Sequence, residues 1–174
     1  CGCPIVYVNQ VGGNDELVFD GSSCVVDADG TMLARAASFR EDLLIVDVPG
    51  GGRVEPVGEP IQRLTEALKL GVRDYVTKCG FSSVVLGLSG GLDSAVVAAL
   101  AAEALGPENV VAIAMPSRYS SDHSIDDAKS LADEMGLRFR QMPIEPMHAA
   151  FEQSLNETLG GTAGELAAEN IQAR

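Results

Sequence analysis

Six residues, Ser89-Gly90-Gly91-Leu92-Asp93-Ser94, constrain this chain more than any other stretch. They follow an apolar run, Val84-Val85-Leu86-Gly87-Leu88, that suits a buried parallel strand. They lead directly into Ala95–Leu105, a helical stretch apolar nearly all round and therefore expected to be buried. A strand, a glycine turn and a helix in that order present main-chain N–H groups to an anion. Two glycines remove the Cβ atoms that would hold a ligand off the backbone. Ser89 and Ser94 add hydroxyls, and Asp93 places a carboxylate where a phosphate-bound Mg²⁺ would sit. The same residues could also form a tight strand-to-helix turn with no ligand.

This is not the Walker phosphate loop, which needs a lysine after its last glycine; no lysine lies between Lys78 and Lys129. The hexapeptide resembles instead the pyrophosphate loop, S-G-G-x-D-S, of N-type ATP pyrophosphatases. Enzymes of that group split ATP between its α- and β-phosphates and activate a carboxylate or carbonyl as an adenylate. The resemblance implies a parallel, doubly wound α/β sheet of the adenine nucleotide alpha hydrolase kind. It also implies ATP contacts from Gly87 and Leu88 through Ser89, Gly90, Gly91, Leu92, Asp93 and Ser94, with Mg²⁺ on Asp93.

Residues 4–48 are expected to be β-structure. Ile5–Val8 is strand-like, with Asn9–Gly13 closing it, and Leu17–Phe19 follows. Cys24–Asp27 and Thr31–Arg35 flank an Asp29-Gly30 pair, a strong hairpin signal. Leu43–Val48 is expected to be a further strand. The segment Tyr7–Ser23, with its Y-V-N-Q-V-G-G core, resembles the late part of a nitrilase-type amidase domain, an α/β/β/α fold. That segment ahead of a pyrophosphate loop is similar to the glutamine-dependent NAD synthetases.

In that family a glutaminase domain releases ammonia using a Glu, a Lys and a Cys. A second domain adenylates the nicotinate carboxylate of deamido-NAD and converts it to the amide. The family's three glutaminase residues lie upstream of the Y-V-N segment. The 174 residues are therefore expected to be an internal piece without glutaminase activity of its own. The resemblance implies ATP, Mg²⁺, deamido-NAD and glutamine-derived ammonia as cofactors and partners, and a cytoplasmic, homo-oligomeric intact enzyme. An alternative starts from Cys1: asparagine synthetases join an N-terminal-cysteine glutaminase to the same S-G-G-L-D-S loop. Only 88 residues precede Ser89, too few for that domain. A third reading is a non-catalytic piece that binds partners through open strand edges.

The domains expected are 1–48 as the tail of the glutaminase, 49–60 as a Gly/Pro-rich linker, and 61–174 as the front of the synthetase. Ile61, Leu64, Leu68, Val72, Tyr75 and Val76 recur at helical spacing and are expected to pack on the sheet, with a dimer contact as the lesser alternative. Val110–Met115 is a second parallel strand, so its following loop leaves the ligand-binding edge of the sheet. There the Met115 backbone could meet adenine and Arg118 a phosphate. Asp122–Met135 reads as a helix stopped by Gly136, Arg138–Met142 as a strand, and Met147–Leu159 as a helix with Met147 and Phe151 in the core. His123 reads as solvated, and His148 has no metal partner in sequence. Thr162–Glu165 has capping-box form. Glu169, Asn170 and Arg174 resemble the family's E-N-x-Q-A-R segment, which implies contact with deamido-NAD.

A net charge of −13 with no basic run argues against a nucleic-acid or anionic-membrane surface. No apolar run reaches the roughly 20 residues of a membrane helix, and nothing resembling a secretory signal opens the chain. Cys1, Cys3, Cys24 and Cys79 lack zinc spacing and read as reduced thiols.

Overall fold

The computed structural model describes residues 2–48, 50–118 and 120–159. Cys1, the Thr162–Glu165 capping box and Glu169, Asn170 and Arg174 lie outside the described residues. The chain forms two compact units, Cys1–Ser82 and Ser83–Arg174.

The first unit holds five short strands: β1 (Ile5–Tyr7), β2 (Val11–Asn14), β3 (Leu17–Asp20), β4 (Cys24–Val26) and β5 (Met32–Arg35). They make a three-stranded antiparallel sheet, β1-β4-β5, and a separate β2-β3 hairpin. The Asp29-Gly30 hairpin is present, closed by Asp27 N donating to Thr31 O at 2.8 Å. Asn9–Gly13 departs from expectation, because Val11–Asn14 is a paired strand rather than a closing turn. Its glycines are needed for a neighbour, α1 (Pro60–Lys78). A Cβ on Gly13 would stand 3.3 Å from the Gly71 Cα. The helix then takes both polar groups of Gly13: the N–H donates to Asp74 Oδ2 at 2.8 Å, and Lys78 Nζ donates to the carbonyl.

That docking also decides which face of α1 is covered. Leu70 and Val76 are its buried residues, whereas Ile61, Leu64, Leu68 and Tyr75 of the expected inward ridge are all exposed. The hairpin meets the side carrying Leu70, Gly71 and Asp74, so most of the apolar ridge points elsewhere. Leu43–Val48 is likewise not a strand: no strand pairs with it among the described residues, and Leu43 and Ile45 stand in solvent. Asp42 accepts from Ala37 N at 2.8 Å and pairs with Arg53, which shapes the segment as a loop. Residues 51–55, expected to be linker, run beside β5: Gly52 N donates to Leu33 O, and Glu55 N to Arg35 O.

The second unit is α/β. β6 (Val84–Gly87), β7 (Val110–Ala114) and β8 (Arg138–Gln141) form a parallel sheet in that order. α2 (Leu92–Leu105) links β6 to β7, and α3 (Asp122–Met135) links β7 to β8. Both helices pack on the sheet and on each other. Leu88, Ala98, Ala101, Ala102, Val110, Ala112, Ala128, Ala132 and Leu137 form the core. Alanine on the facing sides lets helix and strand approach closely, and burial there stabilises at about 25 cal/mol per Å². Gly136 ends α3 at φ +70°, as its position predicts. The expectation that α2 is buried all round is not met. Only its alanine face is covered, and Leu92, Val96 and Val97 are exposed. α4 (Glu145–Leu159) begins two residues earlier than expected, and its Met147 and Phe151 are half-exposed instead of core. No helix among the described residues is long and apolar enough to cross a membrane.

Candidate functional site

The parallel pairing of β6 and β7 brings the expected loop to the carboxyl edge of the sheet. Leu88 extends the ladder, its N–H donating to Ile113 O at 2.9 Å, and its side chain is sealed in the core. The backbone then turns sharply at Gly90, where φ is +79°. A Cβ at Gly90 would collide with the Ser124 carbonyl, whose carbon would be 2.9 Å away. The turn therefore lies directly against the first turn of α3, and only glycine permits both the dihedral and the approach.

Gly91 is the N-cap of α2 and provides no side-chain cap, so the N–H groups of that helix's first turn have no intrahelical acceptor. The two serines hold the loop open. Ser94 Oγ donates to Gly91 O at 2.9 Å and accepts from Ser89 N at 3.2 Å, and the two hydroxyls lie 3.0 Å apart. Asp93 sits exposed in the first turn. The start of α3 is capped by Ser121, which accepts from Ser124 N at 3.2 Å. Two helix N-termini thus converge on one turn, a field that favours an anion.

At Ser89 the turn borders a cavity of about 850 Å³, whose lining does not extend to Gly90 through Ser94. Gly87, Leu88 and Ser89 line one side, with Ser120, Ser121 and Ser124 beside them. Met115, Met142, Ile144, Met147 and Phe151 form an apolar wall, with Met115 next to Gly87. Serine side chains and apolar side chains around one cavity suit a ligand with a polar part and a flat, apolar part. Met115 lines the cavity, and its Cε would be 3.1 Å from a Cβ on Gly87, so a side chain at Gly87 would crowd it.

Arg118 does not line the cavity. Its Nε donates to Glu145 Oε1 at 2.8 Å, its backbone N to Glu145 Oε2 at 3.2 Å, and its Nη1 lies 3.2 Å from Glu152 Oε2. The guanidinium hydrogen bond holds the Glu145 carboxyl below the usual range. His123 is exposed. His148, unremarkable in sequence, is buried in the cavity wall with Nδ1 3.6 Å from Glu152 Oε2. Sequence reasoning also missed Ser124. Its signal was the Ser-x-x-Ser spacing of a capped helix start, whereas His148 had none.

Mg²⁺ is the metal this loop implies. Among the described residues no group of three His, Cys, Asp or Glu side chains could hold a metal ion. One exposed carboxylate beside free N–H groups fits Mg²⁺, which is normally held by one or two carboxylates together with substrate phosphates.

Comparison with known proteins agrees with this geometry. Residues 64–174 match the NAD synthase family model, and residues 1–53 match carbon-nitrogen hydrolase. The chain is 48% identical over 98% of its length to a glutamine-dependent NAD(+) synthetase of Synechocystis sp., and 44% identical over 99% to one of Rhodobacter capsulatus. It spans about a third of each. The solved glutamine-dependent NAD+ synthetase of Acinetobacter baumannii, in complex with adenosine diphosphate, superposes with a TM-score of 0.91 at 40% identity, over 99% of this chain and 34% of that one. The NH3-dependent NAD synthetase of Campylobacter jejuni superposes with a TM-score of 0.58 at 31% identity, over 66% of this chain and 48% of that one. With residues 64–174, well over half of its length, matching that family's model, this chain belongs to the NAD synthase family.

Proposed function

We propose that the protein carrying this sequence amidates deamido-NAD to NAD with ammonia, consuming ATP and releasing AMP and pyrophosphate. The observation that carries the reading is the Ser89–Ser94 turn, held open by its serines and fixed against α3 at Gly90, above a cavity with room for a nucleotide. The matched relatives support the substrates.

The turn and the first N–H groups of α2 hold the pyrophosphate portion of ATP, so that charge developing on the leaving group meets donors already in place. Ser89 and Ser94 brace those donors. Asp93 holds Mg²⁺, which when bound spreads the negative charge of the phosphates. The apolar wall takes the adenine, with the Met115 backbone at its edge, and Arg118 meets phosphate. Glu169, Asn170 and Arg174 grip deamido-NAD and aim its nicotinate carboxylate at the α-phosphorus. Ammonia then displaces AMP from the adenylate. No side chain of the chain acts as nucleophile; positioning lowers the barrier. Glutamine supplies the ammonia through upstream Glu, Lys and Cys residues of a nitrilase-type domain, and the intact enzyme is a cytoplasmic homo-oligomer.

The test is Asp93→Asn in the full-length protein, with ammonium supplied directly and AMP formation measured against deamido-NAD. A loss of about 10²-fold or more in turnover is expected. Unchanged turnover would remove Asp93 from the mechanism.

A further inference from the structure

Four cations occur among the described residues of the second unit: Arg118, Lys129, Arg138 and Arg140. Lys129 is bonded to Asp133 along α3, and the two later arginines sit on β8. Only Arg118 is carried by the loop whose Met115, Pro116, Ser120 and Ser121 line the cavity. Yet its guanidinium faces α4, occupied by two carboxylates. In a chain of net charge −13, a polyanionic ligand would meet its loop-borne cation already neutralised.

We infer that Glu145 and Glu152 are positioning residues that hold Arg118 in reserve, and that Arg118 exchanges them for phosphate when a nucleoside triphosphate fills the cavity. This rests on the nucleotide reading of the cavity and goes beyond it. Three features make the exchange cheap. All three side chains are partly exposed, from 27% to 43%, where ion pairs are weak and labile. Phosphate offers the guanidinium the same two-oxygen fork that a carboxylate does. Glu145 also keeps a favourable place after Arg118 leaves, because it lies in the first turn of α4, where the helix dipole favours an anion.

The pair also ties together the two sides of the cavity. Arg118 sits between Pro116 and Ser120 on the loop, and Glu145 and Glu152 flank Met147, His148 and Phe151 on α4. Breaking it frees the loop to bring its cation toward the phosphates held at the Gly90 turn.

Isothermal titration of the full-length protein with ATP and, separately, with adenosine tests this. Glu145→Gln with Glu152→Gln should bind ATP roughly three- to tenfold more tightly and leave adenosine affinity unchanged. Glu157→Gln, one such charge change elsewhere on the same helix, should alter neither. In an Arg118→Ala background the two Gln substitutions should have no further effect on ATP. If the Gln variants weaken ATP and adenosine equally, the carboxylates only brace the cavity and the exchange is refuted. If ATP affinity ignores them, the exchange also fails while the nucleotide reading stands. Failure of the wild-type protein to bind ATP at all would overturn that reading, and this inference with it.

Discussion

Replacing Gly90 with alanine isolates the physical requirement at the centre of the site. Two costs add. At φ +79° a residue with a Cβ is strained by roughly 1–2 kcal/mol. The new methyl also lies 2.9 Å from both the Cα and the carbonyl carbon of Ser124, where ordinary contact begins near 3.4 Å. These are backbone atoms in the first turn of α3, so no rotamer change relieves the overlap. The Ser124 carbonyl oxygen is nearer still, so loop and helix must separate by about 1 Å, at an overpacking cost of roughly 1–3 kcal/mol. The total, about 3 kcal/mol, should lower the melting transition of this domain by roughly 10 °C or more. The displaced N–H groups should cut deamido-NAD-dependent AMP formation by about 10²-fold.

Gly91→Ala is the internal control. Gly91 adopts φ −89° and ψ 159°, which any residue tolerates, and its new methyl would meet only the movable Ser89 hydroxyl at 3.3 Å. Its melting transition should move by the equivalent of less than about 1 kcal/mol. A Gly90→Ala protein as stable and active as wild type would refute the argument. So would equal stability losses in both variants.

Further predictions follow from other named contacts. Ser94→Ala removes the bond to Gly91 O and the acceptor of Ser89 N; steady-state kinetics should show KM for ATP raised about fivefold, from roughly 1 kcal/mol of lost bracing. Asp74→Ala leaves the buried Gly13 N–H without its acceptor, costing roughly 1–3 kcal/mol, and amide exchange at Gly13 should quicken by at least about tenfold. Asp42 has its carboxyl lowered below 3.8 by the hydrogen bonds from Arg53 and from the Ala37 N–H. Its stabilising contribution is complete above the unfolded value and lost as pH falls through the lower folded one. Melts between about pH 2 and 5 should therefore show acid destabilisation of the first unit that Asp42→Asn reduces.

How legible the molecule was depended on whether a local pattern had a local cause. The β6–turn–α2 unit and the Asp29-Gly30 hairpin are set by glycine dihedrals and nearest neighbours, and both stand as expected. Leu43–Val48 has the composition of a strand, but a strand also needs a partner edge, which no propensity reveals. The α1 ridge is a second case. Periodicity marked an apolar face, yet contact was decided by Gly71 meeting Gly13, two residues without side chains. In the site, the motif placed Ser89 at the cavity. The apolar wall came from Met115 after β7, Met142 and Ile144 after β8, and Met147 and Phe151 on α4, which only the parallel sheet brings together, so Met147 and Phe151 read as core until the fold placed them. Arg118 was expected to face a phosphate, and its carboxylate partners, 27 and 34 residues further on, carry no local signal in sequence.

The most direct measurement is a crystal structure of the full-length protein with Mg²⁺ and a non-hydrolysable ATP analogue. The account predicts the β- and γ-phosphates within about 3.2 Å of main-chain N–H groups between Gly90 and Ser94, with the Asp93 carboxylate turned to the metal. Phosphates bound elsewhere, with the Ser89 and Ser94 hydroxyls still facing an empty turn, would contradict it.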